Sequence, residues 1–494
     1  VGADASSQNV GVGQAVQKRG SGRRAGWALA IVRNLGNDAA SAEAHRAVAA
    51  MAAEAGNTDT RATLLALYQA AVAAAHPDAC LPPHLPPPPE GGRLVIVGAG
   101  KAAAAMAIAA EAHYRALGVL DRIAGFTTPP HAALAALTAA RTSAIDIVSA
   151  RHPTPDAASE RAAERALAQV GGAGEQDLVL VLLSGGASSL WAAPAAGLDL
   201  DTKIALTRAL LKCGADIHET NTVRRHVSRI KGGRLRKATG APMLTLAISD
   251  VPGDDPATIG SGPTVPDPTT LADARAVLAR RRPAMEALGL AVPAAVTAAL
   301  ADPANETPKP NDPSFARAEY RIVATPAAAL AAAARLARRR GYEVVDLGDS
   351  VAGEAREVAQ AHARLAREVK AQGRRAAILS GGELSVTVRN ARGRGGRCQE
   401  YALALAIALA GEPGISALAA DTDGIDGGEG KAADPAGAIV DQSTLASARH
   451  LDAQKFLDNN DATSYFEAAG GLIVPGPTQT NVNDFRAILV DGRS

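Results

Sequence analysis

Lys101 follows a glycine turn, Gly98-Ala99-Gly100, which closes the apolar run Leu94-Val95-Ile96-Val97 and opens a long alanine-rich segment. A buried strand, a tight turn and a helix in that order aim backbone N–H groups and a positive helix end at one point, which suits a phosphate. Lys101 adds a full positive charge beside it, although a solvated lysine at a helix start would read the same. The segment Gly98 to Ala103 also fits a loose G-x-G-x-x-A dinucleotide fingerprint. Asp121 has the spacing for the ribose-binding acid of such a site, but it precedes the next apolar segment, Ile123 to Phe126, instead of ending it. No P-loop is present, because Val95 stands where its first glycine belongs. The phosphate belongs either to a dinucleotide or to a nucleotide that donates a phosphoryl group.

Four further segments carry chemistry. Ser184-Gly185-Gly186-Ala187-Ser188-Ser189 gathers N–H and O–H donors suited to a carboxylate or phosphate. A serine nucleophile is the rival reading, but the segment is not G-x-S-x-G. The run from Thr222 to Arg234 is strongly basic, and its end, Lys231-Gly232-Gly233-Arg234, could set cations near an acidic substrate or simply form a solvated face. Gly393-Arg394-Gly395-Gly396-Arg397-Cys398 alternates glycine with arginine, whose planar fork suits phosphoryl oxygens. A flexible hairpin tip is the alternative. Asp421, Asp423 and Asp426 place three carboxylates in six residues after an apolar run, a hard oxygen set that suits Mg²⁺, or else a polar turn. Glu383 could join them. It follows Ser380-Gly381-Gly382, an echo of Ser184-Gly185-Gly186, and the pair of turns suggests a cleft with one on each wall.

Apolar strand candidates alternate with helical segments: Leu94–Val97, Ile145–Val148, Leu178–Leu183, Met243–Ile248, Tyr320–Val323, Glu343–Leu347, Ala376–Leu379, Ile415–Ala419 and Ala487–Val490. The pattern predicts an α/β protein with largely parallel sheets. A chain of 494 residues is too long for one ordinary core. Residues 1–57, basic and glycine-rich, are expected to be a loosely ordered extension. The chain starts at Val1, which leaves processing or truncation open. A Rossmann-like domain is expected over 58–312 and a smaller α/β domain over 313–494, divided at the polar, Pro-punctuated segment Asp302 to Pro313. Leu384–Arg389 follows its preceding strand too closely for a crossover helix, so the second sheet is expected to be mixed and to contain a hairpin.

Lys+Arg is 51 against Asp+Glu 50, which gives no general field for nucleic acid or an anionic membrane. No apolar run reaches membrane-spanning length. Cys80, Cys213 and Cys398 are far apart, without metal-ligand spacing, and read as free thiols in a reducing compartment. A cytoplasmic enzyme is the expectation, with a homodimer left open.

Taken together the segments resemble the class II glycerate kinases, the glycerate 2-kinases whose C-terminal half is the MOFRL domain. The likeness runs from about Arg61 to the C-terminus. It rests on Gly98-Ala99-Gly100-Lys101, His152-Pro153-Thr154-Pro155-Asp156, Ser184 to Ser189, Lys231-Gly232-Gly233-Arg234-Leu235 and Ser249-Asp250-Val251-Pro252-Gly253-Asp254. Further on come Gly260 to Thr264, Ser380-Gly381-Gly382-Glu383, Gly395-Gly396-Arg397, Asp423 to Gly427 and Thr480-Asn481-Val482-Asn483-Asp484.

The resemblance implies ATP- and Mg²⁺-dependent phosphorylation of D-glycerate to 2-phosphoglycerate in a cleft between the two domains. Carried over, the functional lysine falls on Lys101 and the functional arginine on Arg397. Substrate and nucleotide contacts are expected from Gly98, Gly100, Ser184, Gly185, Gly186, Ser188, Lys231, Asp250, Ser380, Gly381, Gly382, Glu383, Asn481 and Asn483, and Mg²⁺ ligands from Asp421, Asp423 and Asp426. Asp250 and Glu383 are candidates for the base. The chain departs from the family pattern at Cys398, where an asparagine is usual, and at Gln479, where a glycine is usual. An NAD(P)H-dependent hydroxypyruvate reductase, a label relatives have carried, and a non-catalytic metabolite-binding protein are the competing readings.

Overall fold

A computed structural model describes residues 59–135, 142–428 and 430–492; the expected extension over 1–57 lies outside them. The chain divides into two units, residues 1–63 and 64–494, and both sheets belong to the second.

The first sheet consists of β1 (Leu94–Ala99), β2 (Ile123–Thr128), β3 (Ile145–Ile147), β4 (Leu178–Leu183), β5 (Met243–Ile248) and β6 (Ala318–Ala324). All pairings are parallel and the order is β3-β2-β1-β4-β5-β6. Its central strands β1, β4 and β5 are nearly continuous apolar runs because both faces are covered. Alternate residues go to opposite layers: Leu94, Ile96, Leu180 and Leu182 enter one buried cluster, and Val95, Val97, Val179 and Val181 enter another.

The second sheet consists of β7 (Glu343–Asp346), β8 (Ala376–Ser380), β9 (Ile415–Asp421), β10 (Gly437–Val440), β11 (Leu472–Ile473) and β12 (Asp484–Val490), in the order β11-β10-β9-β12-β8-β7. Only β7 and β8 pair in parallel, so the sheet is mixed as expected. The expected hairpin is absent: Leu384–Arg389 makes no ladder, and the antiparallel partners are β12 and β10 instead. The expected division at 312/313 also falls elsewhere, because β6 lies beyond it and completes the first sheet. The Pro-rich segment before it is a surface connection inside the first sheet's fold.

One buried cluster contains a face of each sheet, with Leu94 and Ile96 on one side and Leu379, Leu418, Phe485 and Leu489 on the other. The helical residues 64–75, α1 (Ala103–Ala116) and, after α2 (Leu200–Lys212) and α3 (Ile217–His226), α4 (Pro326–Arg339) fill the same layer. Each large side chain there contributes about 1.5–3 kcal/mol. Separating the sheets would expose this layer, so the two halves hold a fixed relation at their carboxyl ends.

Candidate active site

The order 3-2-1-4-5-6 puts a topological switch point between β1 and β4, and open α/β sheets bind ligands outside the carboxyl ends of strands at that point. Lys101 follows β1, and the Ser184 turn follows β4. These two turns close on each other. Lys101 N donates to Gly185 O at 2.8 Å and Ala102 N to Ser184 Oγ at 3.0 Å, while Gly100 N donates to Thr128 O. A Cβ on Gly100 would lie 2.1 Å from Ser184 Oγ, and one on Gly98 2.8 Å from Leu182 O. Gly98, Gly100 and Ser184 therefore serve the approach of two strand ends. Their expected role as a phosphate cradle is corrected, since the N–H groups that would form it are already bonded.

The side chain of Lys101 escapes this closure. Its Nζ meets Asp423 Oδ2 at 2.5 Å. Asp423 follows β9 in the other sheet and takes a turn in which its N–H donates to Asp421 Oδ1 at 2.9 Å. Arg397 opens α5 (Arg397–Leu409). Its guanidinium contacts Asp421 at 2.8 Å, Asp484 at 2.8 Å and Glu383 at 3.2 Å. Lys101, Arg397, Asp421 and Asp423 all line one cavity of about 890 Å³.

Burial would depress the Lys101 ammonium, but Asp423 and Asp421 outweigh it and hold it above the usual lysine range. The same contest at Arg397, burial against Asp484 and Asp421, also ends in favour of the cation. Burial, with Asp423 beside it, pushes Asp421 up, whereas Lys101 pulls Asp423 down against its burial. The cavity floor thus alternates cation and carboxylate.

Asp426 does not join that floor. Its two oxygens accept from Cys398 N at 3.1 Å and Gln399 N at 2.8 Å, capping α5, and burial raises its carboxyl to about 6. The expected three-carboxylate metal set is corrected accordingly: among the described residues no group of three or more His, Cys, Asp or Glu is placed to hold a metal ion. The remaining pair, Asp421 and Asp423, fits Mg²⁺ of the kind held by one or two carboxylates together with substrate phosphates.

The second glycine turn is structural as well. Arg486 holds Ser380 Oγ at 3.1 Å and also bonds Gly381 O, and a Cβ on Gly382 would lie 2.3 Å from Val351 O. Ser380, Gly381 and Gly382 line no part of the cavity, so the expected ligand-binding turn is not formed on the second wall. Glu383 pairs with Arg397 and its side chain is 56% exposed.

Asp250, after β5, faces the Ser184 turn. A Cβ on Gly185 would lie 1.9 Å from its Oδ2. Asn481 Nδ2 donates to that oxygen at 2.9 Å, and Asn483 Nδ2 to the Asp250 carbonyl at 2.6 Å. Burial, partly offset by Lys101, lifts the Asp250 carboxyl to about 6. The two asparagines thus tie the second sheet's last loop to the first sheet at the site.

Lys231 is buried, with Nζ donating to Ser188 O at 2.7 Å and Trp191 O at 3.0 Å. It braces the turn, which corrects its expected direct contact with ligand. Cys398 is in the core and is not among the residues lining the cavity of Lys101 and Arg397. Gln479 takes the left-handed conformation, φ 63°, that suits the glycine usual there, and its side chain borders the cavity.

Four basic side chains of the cavity had no role assigned from the sequence: His131, Arg151, His152 and Arg208. Neither arginine side chain has a hydrogen-bond or ion-pair partner among the described residues. The His152 ring lies over Gly186, where a Cβ would meet it at 2.9 Å, and burial followed by the Lys101 charge lowers it to about 4, so it is neutral. The motif His152 to Asp156 was the available signal. Nothing in the sequence gave Arg208 a place near Lys101.

Fold and site together define an α/β protein whose cleft, where strand ends of two sheets meet, is lined by a lysine, an arginine and an aspartate pair. Residues 63–301 match a domain of unknown function (DUF4147) and residues 376–484 the MOFRL family. The chain is 45% identical over 445 residues to a protein of Agrobacterium vitis named "Putative hydroxypyruvate reductase", covering 88% of this chain and 95% of that one. It is 39% identical over 346 residues to the D-glycerate 2-kinase of Thermotoga maritima, covering 69% and 78%. The crystal structure of glycerate kinase from Thermotoga maritima superposes with a TM-score of 0.74 at 35% identity, covering 88% of this chain and all of that one. The chain belongs to the glycerate 2-kinase family that carries the MOFRL domain.

Proposed function

We propose that this protein is a D-glycerate 2-kinase, which moves the terminal phosphoryl group of ATP onto the 2-hydroxyl of D-glycerate. The observation that carries the reading is the meeting of Lys101 from the first sheet and Arg397 from the second at one aspartate pair in one cavity. Phosphoryl transfer needs little covalent work from the protein; positioning and charge neutralisation supply most of the rate. Lys101 and Arg397 neutralise the transferring group. Each exchanges part of its carboxylate partnership for phosphate oxygens. Arg151 and Arg208 flank the same cavity and carry free guanidiniums suited to the rest of the triphosphate.

Asp421 and Asp423 would hold the Mg²⁺ that accompanies the nucleotide, which would offset the charge of the phosphates. Asp250 is the base of choice. Glu383 is committed to Arg397, whereas Asp250 has no cation bonded to it and a carboxyl placed near working pH. The acceptor lies beside Asp250 and the Ser184 turn, which are in contact with each other. The cytoplasm suits an ATP-dependent enzyme with three free, buried cysteines.

The reductase reading has the relative's name in its favour and two local features against it. The N–H groups of the glycine turn are bonded internally, and β2 ends at Thr128 without a carboxylate for a ribose. The test is a product analysis with purified protein. ATP, Mg²⁺ and D-glycerate should give ADP and 2-phosphoglycerate by phosphorus NMR, with no NADH oxidation by hydroxypyruvate. NADH oxidation without ADP would replace this reading by the reductase. Binding without either turnover would leave a metabolite-binding protein.

A further inference from the structure

Away from the aspartate pair, three cations gather without a carboxylate among the described residues. They are Lys203 on α2, Arg224 on α3 and Lys231 in the loop that follows. Both ammonium groups are buried and bonded only to carbonyls, Lys203 to Val227 O at 2.8 Å and Lys231 to the Ser188 and Trp191 carbonyls. The adjacent Arg225, by contrast, is neutralised by Asp267 at 3.0 Å. Arg224 has neither a hydrogen-bond partner nor an ion pair among the described residues, is partly buried, and has its guanidinium lowered to about 10 by burial. Burial and then the Arg224 charge depress both lysines, Lys203 to about 7 with a further contribution from Arg234, which itself faces Glu306 and Asp267. Like charges held together in a low dielectric are costly. An anion from outside the chain removes that cost.

The place of Arg224 says which anion. Asn221 and Arg224 are one turn apart and share a face of α3. Asn221 Oδ1 accepts from Ser261 Oγ at 3.0 Å, and Ser261 Oγ bonds Ser188 Oγ at 2.8 Å. Ser188 belongs to the same turn whose Gly185 meets Asp250 and whose Gly186 lies against His152 and Lys101. The face of α3 that bears Arg224 therefore abuts the acceptor's side of the reaction centre. We infer that Arg224, on a face braced by the Ser188–Ser261–Asn221 chain, anchors the carboxylate of the acceptor. Lys231 is a positioning residue that fixes the Ser188 carbonyl. A planar guanidinium binds a carboxylate through two parallel hydrogen bonds, which fixes orientation as well as affinity. This inference rests on the kinase reading for the acceptor's identity, but the anion subsite itself does not.

The test is calorimetric titration of the full-length protein with D-glycerate, its neutral amide, inorganic phosphate and MgATP, each with and without ADP. Arg224→Gln should weaken D-glycerate on the order of 10- to 100-fold and leave the amide and MgATP unchanged. Arg224→Lys, which keeps the charge but loses the fork, should fall between, and it decides the matter if the glutamine variant does not fold. Unchanged D-glycerate affinity, equal weakening of glycerate and amide, or no saturable D-glycerate binding would overturn the subsite. Loss of phosphate or MgATP binding with glycerate retained would reassign it to a phosphoryl group. An Arg224-dependent carboxylate site in a protein that does not phosphorylate glycerate would remove the kinase reading and keep the subsite.

Discussion

Lys101 and Asp423 stand on different sheets, 322 residues apart in the chain, and their side chains meet at 2.5 Å. Removing the lysine takes away the proposed phosphate ligand and leaves a buried carboxylate without its cation. Lys101→Ala should lower kcat by about 10²-fold and cost about 1–3 kcal/mol of stability. Adding Asp423→Asn should return stability without returning activity. Thermal unfolding and steady-state kinetics on the single and double variants check both halves.

Arg397 is held by three carboxylates at three nitrogens, so its plane is fixed before any ligand arrives. A lysine cannot reproduce that fork. Arg397→Lys should therefore behave nearly as badly as Arg397→Ala, with kcat reduced about 10²- to 10³-fold. Recovery of near-normal kcat in the lysine variant would show that only the charge matters.

Asp250 gives a pH signature of two opposite signs. Its folded carboxyl is raised to about 6 by burial, so protonation is favoured by folding. The stability it contributes is complete near pH 4 and is lost as pH rises through 6. Asp250→Asn should therefore stabilise the protein at pH 8 by about 1–2 kcal/mol, with no gain near pH 4. In the wild type kcat/KM should fall below pH 6, and the variant should lose about 10²- to 10⁴-fold in rate. Melting curves at the two pH values and a pH–rate profile test this.

Ser184 Oγ accepts Ala102 N–H inside the closed pair of turns, and the serine is fully buried. Ser184→Ala should cost about 1–3 kcal/mol for the orphaned donor and leave both KM values near normal. A large rise in either KM with little loss of stability would restore the hydroxyl as a ligand group.

The charged members of the site were legible because lysine, arginine and aspartate on glycine-rich turns have few structural uses. Lys101, Arg397, Asp421 and Asp423 do converge. The glycines misled because a sequence shows that a turn is permitted but not what sits opposite it. At Gly98 and Gly100 the occupant is the neighbouring strand end, and at Gly382 it is the backbone of Val351. Asp426 misled because three carboxylates in a tight turn diverge, and this one points back to cap α5. β1, β4 and β5 of the first sheet stood out as unbroken apolar runs, whereas β10 and β11, of four and two residues, carry too little pattern to be read. The pairing of β6 with β5 is a long-range choice that a Pro-rich connection conceals.

The most direct test is a crystal structure with a non-hydrolysable ATP analogue, Mg²⁺ and D-glycerate bound. Lys101 Nζ and an Arg397 nitrogen should both lie about 2.7–3.2 Å from oxygens of the terminal phosphate, with the 2-hydroxyl in line with it. A triphosphate seated elsewhere, with both cations still paired only to Asp423 and Asp421, would contradict the account.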